Sequence, residues 1–328
     1  MITKIKSQIS QMVNDPNFNS ERSKYIRGLK ELVLSLFRLA IIVGISYVIL
    51  GPMIGIVSRS FFSDADKNNP MVYLIPIAPT LERYRLSILR LDYFNTLARS
   101  VGYVATLAIL QVFVCSFVGY GFARFSFPFK KVFLGCVIVM IVIPPHSIML
   151  PLYMTFQSFD IFGIIEAISG KPLNLLQSPT PMYIMTLFGT GLRSGLYIYI
   201  FTQFFRGLPK ELEEAAQVDG ASIFYTYFRI MLVNAMPAVI TVLIFSLVWQ
   251  YNDTFYSNLF NLPNTMVISR RITTLQATIQ NNDQIRDPAI AALYVNAGIV
   301  LVILPLIALY IALQKRFIEG VERSGLVQ

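Results

Sequence analysis

Charged side chains are scarce in this chain of 328 residues: they make up 14% of it, whereas 55% of the residues are hydrophobic. A soluble domain usually has about a quarter of its residues charged. The hydrophobic residues also come in long blocks, and most of the charges lie between the blocks. These features exclude an ordinary water-soluble domain and predict an all-α integral membrane protein.

Cysteine and histidine are almost absent, with two of the former and one of the latter. Cys115 and Cys136 lie inside apolar blocks, without the neighbours that a metal or redox site needs. His146 has no acidic companion for a proton relay, so we expect it to be structural. The sequence also has no catalytic carboxylate pair and no Gly-x4-Gly-Lys-Ser/Thr phosphate loop. We therefore expect no metal, no enzyme activity and no ATP hydrolysis in this chain.

Six apolar blocks are long enough to cross a bilayer core, which takes about 20 helical residues. They lie near 38–60, 98–121, 132–155, 182–205, 230–250 and 292–314. The sequence therefore predicts six transmembrane helices within a membrane domain at 38–316. Residues 1–37 and 317–328 are predicted tails.

The positive charges set the expected orientation. The formal net charge is +9, and basic residues concentrate in the segment before the first apolar block. Such residues favour the cytoplasmic side and meet anionic lipid headgroups. An even number of crossings then places both termini in the cytoplasm. Membrane lipid, and not nucleic acid, is the expected partner of this charge.

The fourth connection, 206–229, is acidic and predicts a short helix followed by a turn and a second helix. Pro209 suits the first helical position, and Gly220 permits the left-handed turn that ends the helix. Three glutamates favour the positive N-terminal end of this helix: Glu211, Glu213 and Glu214. One face has helical spacing and mostly small residues: Leu212, Ala215, Ala216 and Asp219. Ser222 caps the second helix, whose apolar side holds Phe224, Tyr227, Phe228 and Met231. This elbow suits docking to another protein; an ordinary interfacial helix is the alternative.

The run from Glu214 to Ala221, Glu-Ala-Ala-Gln-Val-Asp-Gly-Ala, resembles the EAA motif of ABC importer permeases. Its position, in a cytoplasmic loop before the penultimate span, agrees with that motif. Four other segments are similar to the carbohydrate (maltose/multiple-sugar type) branch of the family: 120–128, 143–153, 249–253 and 314–320. The resemblance covers roughly residues 95–325. Val233 departs from the pattern, which usually has a proline there at the bend into the fifth span.

The resemblance implies a type I ABC importer permease in a prokaryotic cytoplasmic membrane, with a cytoplasmic coupling elbow. It implies four kinds of partner: a second, unlike permease subunit, two ATPase subunits that bind ATP and Mg, an extracytoplasmic solute-binding protein, and lipid. No cofactor is expected in this chain. The solute would be a sugar or oligosaccharide, and both neutral and acidic sugars remain open. The implied ATPase-coupling residues are Glu214, Ala215, Ala216, Asp219, Gly220 and Ala221.

Arg193 lies near the middle of the fourth apolar block, where a charged residue should face protein or water. One interpretation is that it lines the translocation path or a gate. The alternative is a structural arginine that pairs with a carboxylate, caps carbonyls, or lies nearer the interface because the block is a broken helix. Tyr197, Tyr199, Tyr251 and Asn252 are further path candidates, because aromatic faces and amides suit sugars. The alternative for the tyrosines is the ordinary interfacial belt.

Two other classes of function remain as alternatives. An ion-coupled secondary carrier would show internal repeats and acidic residues at the membrane midplane, and a membrane enzyme would need a polar catalytic cluster. The sequence shows none of these features. The resemblance to the sugar-importer family implies that the long external connection 251–291 can reach the solute-binding protein, with residues 275–287 as the segment to test.

Overall fold

The computed structural model describes the backbone of residues 16–325 and the side chains of residues 28–314, and the regular elements in this part are all helical. The outer parts of the two predicted tails, residues 1–15 and 326–328, lie outside the described residues. The chain divides into two units, Met1–Arg59 and Ser60–Gln328.

The described part of the first unit is one helix, α1 (Pro16–Arg59), of 44 residues. Its segment Gly28–Arg59 has a mean hydropathy of 2.4 and is long enough to cross a membrane. Residues 16–37 therefore continue the helix of the first predicted span and do not form a separate element.

The second unit consists of short and long helices in an almost unbroken series. They are α2 (Asp64–Asn68), α3 (Glu82–Leu91), α4 (Tyr93–Arg124), α5 (Lys130–Val142), α6 (Met149–Gln157), α7 (Ile164–Ser169), α8 (Thr180–Leu187), α9 (Ser194–Gly207), α10 (Glu211–Val218), α11 (Ile223–Tyr225), α12 (Leu232–Asn234), α13 (Met236–Tyr251), α14 (Phe255–Leu259), α15 (Ile268–Thr273), α16 (Leu275–Asn282) and α17 (Pro288–Gly325). A 3₁₀ turn (Pro145–Ile148) precedes α6, and a π-helical turn (Thr226–Met231) joins α11 to α12.

Among the described residues, three helices are long and apolar enough to span a membrane: α1, α4 and α17. Two bent pairs raise the number to five if each pair is one span. One pair joins α5 to Pro145–Gln157 at 103°, and the other joins Ile223–Asn234 to α13 at 77°. The predicted span 182–205 is divided between α8 and α9. The count of six spans therefore stays a prediction.

Prolines account for both bends, because a proline removes a backbone donor and clashes with the preceding turn. Pro144 and Pro145 stand at the first bend, and Pro237 lies at the start of α13 after the second. Val233, where the family pattern has a proline, is exposed just before the second bend. The departure at Val233 thus leaves the bend in place.

Helix α4 is the centre of the second unit, with α9 and α13 packed along it and α17 against α13. At Gly119 an added Cβ would lie 2.6 Å from the Cβ of Phe201 and 3.1 Å from the backbone nitrogen of Thr202. Glycine at this position is therefore what allows α4 and α9 to approach so closely. Two hydrophobic clusters follow α4, one towards its Tyr93 end and one towards its Arg124 end.

The predicted long connection 251–291 is a folded part of the protein, containing α14, α15 and α16. Leu275 and Ile279 of α16 are fully buried, and Asp283 pairs with Arg90 of α3. Removing 275–287 would expose this core, so a deletion there would report on folding as well as on partner binding.

Candidate functional site

The elbow begins with α10, which starts at Glu211 with Lys210 before it. The prediction that Pro209 is the first helical residue is therefore wrong. The carbonyl of Lys210 accepts the first helical bonds, from the N–H groups of Glu213 (2.9 Å) and Glu214 (3.1 Å). Pro209 lies in the preceding turn, where its carbonyl is 3.5 Å from Nη2 of Arg124.

The predicted turn at Gly220 and the cap at Ser222 are both confirmed. Gly220 has a φ of +78°, in the left-handed region that favours glycine. The N–H of Ala221 donates to the carbonyl of Ala216 at 2.9 Å, which closes the turn. Ser222 Oγ accepts a hydrogen bond from the N–H of Tyr225 at 3.3 Å.

The predicted coupling residues divide between two sides of α10. Four of them are exposed, and together they form what we call the docking surface: Glu214, Ala215, Asp219 and Gly220. Ala221 beside it is half-buried, whereas Ala216 is only 5% exposed and packs into its own chain. An approaching partner can therefore reach Ala215 but not Ala216.

The opposite side of α10 is fixed to the end of α4 by Glu213. Its Oε2 lies 3.1 Å from Nε of Arg124, and its Oε1 accepts a hydrogen bond from the hydroxyl of Tyr120 at 2.7 Å. Arg124 also donates to the carbonyl of Leu208 at 2.8 Å. The ion pair is largely buried, with side-chain exposures of 7% and 13%. We call these residues the Glu213 anchor; from the sequence, Glu213 was predicted only to favour the positive end of the helix.

The second half of the elbow also contacts α4. The hydroxyls of Tyr227 and Ser116 are 2.7 Å apart. Phe224 and Phe228 are partly exposed but stack on aromatic rings of α4, on Phe117 and Phe113 respectively. Both halves of the elbow are therefore attached to the same long helix.

A buried polar cluster links three helices. The Nε2 of Gln111 donates to the carbonyl of Leu192 (2.6 Å) and to Oγ of Ser194 (3.0 Å), while its Oε1 accepts from Ser246 (2.6 Å). Gln250 Nε2 lies 3.4 Å from the same oxygen. These contacts join α4 and α13 to the segment between α8 and α9. Sequence reasoning missed this cluster, although a glutamine inside an apolar block is a usable signal.

The cluster fixes the depth of the break between α8 and α9. Gln111 lies roughly 27 Å from the Tyr93 end of α4 and roughly 20 Å from the Arg124 end, at about 1.5 Å per helical residue. Its partner Leu192 therefore lies near the middle of the span.

Arg193 follows Leu192 directly and is the residue before α9, with a left-handed φ of +62°. The block is therefore a broken helix, as that alternative supposed, but the break lies near mid-depth and not near the interface; the role of Arg193 stays a prediction. The side chain of Arg193 is nevertheless exposed, and its guanidinium lies 4.3 Å from the ring centre of Trp249. A charge at the bilayer centre costs about 2.5–3.5 kcal/mol on insertion scales, so this exposed face must meet water or protein and not lipid.

The remaining path candidates differ in accessibility. Tyr197 is fully buried, and Tyr251 is buried with its hydroxyl donating to the carbonyl of Val302 at 2.8 Å. Asn252 is exposed and Tyr199 is 37% exposed. The structure thus brings Arg193, Trp249 and Asn252 to accessible positions and places Tyr197 and Tyr251 in the core.

His146 is exposed, with its ring centre 4.4 Å from that of Phe255. Its structural role stays a prediction. Within the described ranges, no group of three His, Cys, Asp or Glu residues could hold a metal ion.

Comparison with known proteins identifies the family. Residues 111–323, more than half of the chain, match the family described as binding-protein-dependent transport system inner membrane components. The chain belongs to this family. It is therefore a transport subunit and a multi-pass membrane protein, and the matched region contains the elbow and the buried polar cluster.

Two relatives illustrate the sequence similarity. The trehalose transport system permease protein SugB of Mycobacterium tuberculosis is 25% identical over 259 residues, covering 78% of this chain and 84% of SugB. The arabinooligosaccharides transport system permease protein AraQ of Halalkalibacterium halodurans is 24% identical over 285 residues, covering 86% of this chain and 92% of AraQ.

Solved structures show the same fold. A chain of a bacterial ABC transporter involved in the import of the acidic polysaccharide alginate matches with a TM-score of 0.70 and 18% identity, covering 88% of this chain and 98% of that one. A chain of a bacterial alginate ABC transporter in complex with an alginate pentasaccharide-bound periplasmic protein matches with a TM-score of 0.54 and 19% identity, covering 84% and 93%. The all-helical fold is thus that of an ABC importer permease.

Proposed function

We propose that this chain is the membrane-spanning subunit of an ATP-driven importer of a sugar or oligosaccharide. One observation carries the coupling role: α10 presents an exposed docking surface on one side and is fixed to α4 by Glu213 on the other. A partner that moves α10 would therefore move the long helix at the centre of the fold.

The ATP-hydrolysing step belongs to two partner ATPase subunits, which hold ATP and Mg and engage the docking surface. Their closure displaces the elbow, and the Glu213 anchor and the stacked aromatic rings pass the displacement to α4. The Gln111 cluster carries it on to α9 and α13, because their polar contacts join at one side chain. The result is alternating access between the two sides of the membrane.

The proposed setting is a prokaryotic cytoplasmic membrane. Both termini and the elbow lie in the cytoplasm, as the basic N-terminal segment favours. A second, unlike permease subunit completes the path, and an external solute-binding protein delivers the solute. The exposed side of α16, opposite its buried Leu275 and Ile279, is a candidate contact for that protein.

The relatives support a carbohydrate solute, since SugB is named for trehalose and AraQ for arabinooligosaccharides. Two accessible path candidates suit such a solute, because Asn252 offers an amide and Arg193 a guanidinium, and Trp249 beside Arg193 adds an aromatic face.

The coupling role is tested at Gly220, with ATPase binding measured by pull-down from membranes. Proline requires a φ near −65°, whereas Gly220 has a φ of +78°, so Gly220→Pro should abolish binding. Gly220→Asn is the matched control: asparagine tolerates the left-handed region, and an added Cβ meets no atom within 4 Å. We expect Gly220→Asn to keep the turn and therefore to bind the ATPase more strongly than Gly220→Pro, although its side chain adds to the docking surface.

Binding of the ATPase by Gly220→Pro at the wild-type level would remove the docking role of the elbow. Solute uptake by a wild-type chain that binds no ATPase, driven by an ion gradient, would instead establish the secondary-carrier alternative.

A further inference from the structure

An arginine and a tryptophan share one accessible position in the middle of the membrane domain. The Arg193 guanidinium lies over the Trp249 ring at 4.3 Å, and Trp249 itself is 44% exposed. Asn252 is exposed directly after the end of α13, three residues beyond Trp249. The adjacent residues Leu192 and Gln250 both contact Gln111, so Arg193 and Trp249 lie at the same depth, near the middle of α4.

Arg193 has no ion-pair partner within the described part of the chain. Other arginines have carboxylate partners there: Arg83 pairs with Asp64, Arg90 with Asp283 and Arg124 with Glu213. No described carboxylate lies within 4.0 Å of Arg193. Its contact with the indole orients the guanidinium plane and leaves its hydrogen-bond donors available to a ligand.

We propose that Arg193 and Trp249 form a subsite for the carboxylate of an acidic sugar unit, so that the solute is a uronate-containing oligosaccharide. This inference rests on the proposed importer function and makes its substrate class specific. A guanidinium binds a carboxylate through two parallel hydrogen bonds. The exposed part of the indole offers an apolar face to the C–H groups of the sugar ring. Asn252 is exposed three residues beyond Trp249, and because its Nδ2 donates to the carbonyl of Val248 (2.9 Å), its amide oxygen is the group it offers to a sugar hydroxyl.

The test is uptake by the complete transporter in proteoliposomes, with its cognate binding protein and either tetramannuronate or maltotetraose. We expect the wild type to take up tetramannuronate. Loss of a charge-assisted hydrogen-bonding partner should reduce this uptake about tenfold or more in Arg193→Gln. Arg193→Lys keeps the charge but loses the planar guanidinium that forms two parallel hydrogen bonds. Its tetramannuronate uptake should therefore lie between that of the wild type and that of Arg193→Gln.

The matched control is Arg99→Gln. Arg99 is an exposed arginine of the central helix α4, about 18 Å from Gln111 along the helix axis. The variant removes the same charge at a different depth, and its tetramannuronate uptake should equal that of the wild type. Co-purification of the second permease subunit and the ATPase should be the same for Arg193→Gln as for the wild type.

Several outcomes would overturn the inference. Equal tetramannuronate uptake by Arg193→Gln and wild type would remove the subsite. Uptake of maltotetraose alone, or of neither sugar by a complex that binds ATPase, would remove the acidic substrate and leave the importer function standing. Loss of the second permease subunit from Arg193→Gln would show that Arg193 pairs with that subunit instead. A wild-type chain that binds no ATPase would defeat the importer function itself, and this inference with it.

Discussion

Adjacent glutamates in α10 have different surroundings. Glu214 is exposed on the docking surface, whereas Glu213 is bound to Tyr120 and Arg124. Successive helical residues are about 100° apart around the axis, so one of two neighbours can face a partner while the other faces its own chain. At the level of single residues, the acidic run therefore combines a surface for docking with an internal attachment.

Glu213→Gln should strongly destabilise the attachment of the elbow. Breaking a buried ion pair leaves the other charge uncompensated, which costs about 3 kcal/mol. The melting temperature of the detergent-solubilised transporter should fall, and ATP-driven uptake should fall with it. Glu211→Gln is the control, because Glu211 is an exposed carboxylate in the same first turn. Equal melting temperatures for the two variants would show that the anchor contributes little.

Residue types alone did not rank the candidates. Arg193 could be singled out because a lone cation in an apolar block is conspicuous, and its position at a helix break was one of the expected alternatives. Tyr197 and Tyr251 have the same residue type as Tyr199, and only packing separates the two buried rings from the accessible one. Trp249 gained its importance through its contact with Arg193.

Among the elements, those built by local chemistry were predicted best. The turn at Gly220 depends on one residue's conformational freedom, and the cap at Ser222 on a bond to a residue three positions away. The break between α8 and α9 was expected only as an alternative, although Gly189 has a φ of +70° there. Backbone carbonyls at membrane depth need partners, and the break is possible because Gln111 donates to Leu192.

The short helix α2 provides a pH-dependent element outside the spans. Burial raises the pKa of Asp66, but hydrogen bonds from Ser63, Ala78 and Ile77 outweigh it, and the net pKa is lowered from 3.8. The N–H of Ile77 donates to Asp66 at 3.0 Å. A lowered pKa means that the stabilisation is complete above the unfolded value and is lost as the pH falls through the folded one.

We therefore expect the amides of Ile77 and Ala78 to be protected from hydrogen exchange above pH 3.8 and to lose protection at lower pH, after correction for the intrinsic rate. Asp66→Asn should show weak protection already at neutral pH and little further change on acidification. Wild-type protection in Asp66→Asn at neutral pH would contradict the role of the carboxylate.

The topology of the whole molecule depends on whether α8 and α9 together cross the membrane. Six crossings and two cytoplasmic termini require that they do. Neither helix alone is long enough to span, at 8 and 14 residues. Their contacts with Gln111 near the middle of α4 favour a crossing, because they place the break at mid-depth.

Cysteine labelling in whole cells decides this point. The background has Cys115 and Cys136 replaced by alanine. Single cysteines are then introduced at two exposed positions, Lys171→Cys before α8 and Lys210→Cys after α9. A membrane-impermeant maleimide should label Lys171→Cys from outside and Lys210→Cys only after permeabilisation. Labelling of both from the same side would mean that α8 and α9 form a re-entrant segment and that the number of spans is five.

The sequence by itself determined that the chain is a membrane protein, where its apolar blocks lie and that 206–229 forms an elbow. Hydrophobicity, charge bias and turn chemistry suffice for this, because they act over a few neighbouring residues. Only the tertiary structure decided which side of α10 is free, how Gln111 joins three helices and why Arg193 lies over Trp249. Each of these depends on residues that are far apart in the chain and meet only after the helices pack. Local patterns therefore predicted the parts of the transporter, and packing decided how they are connected.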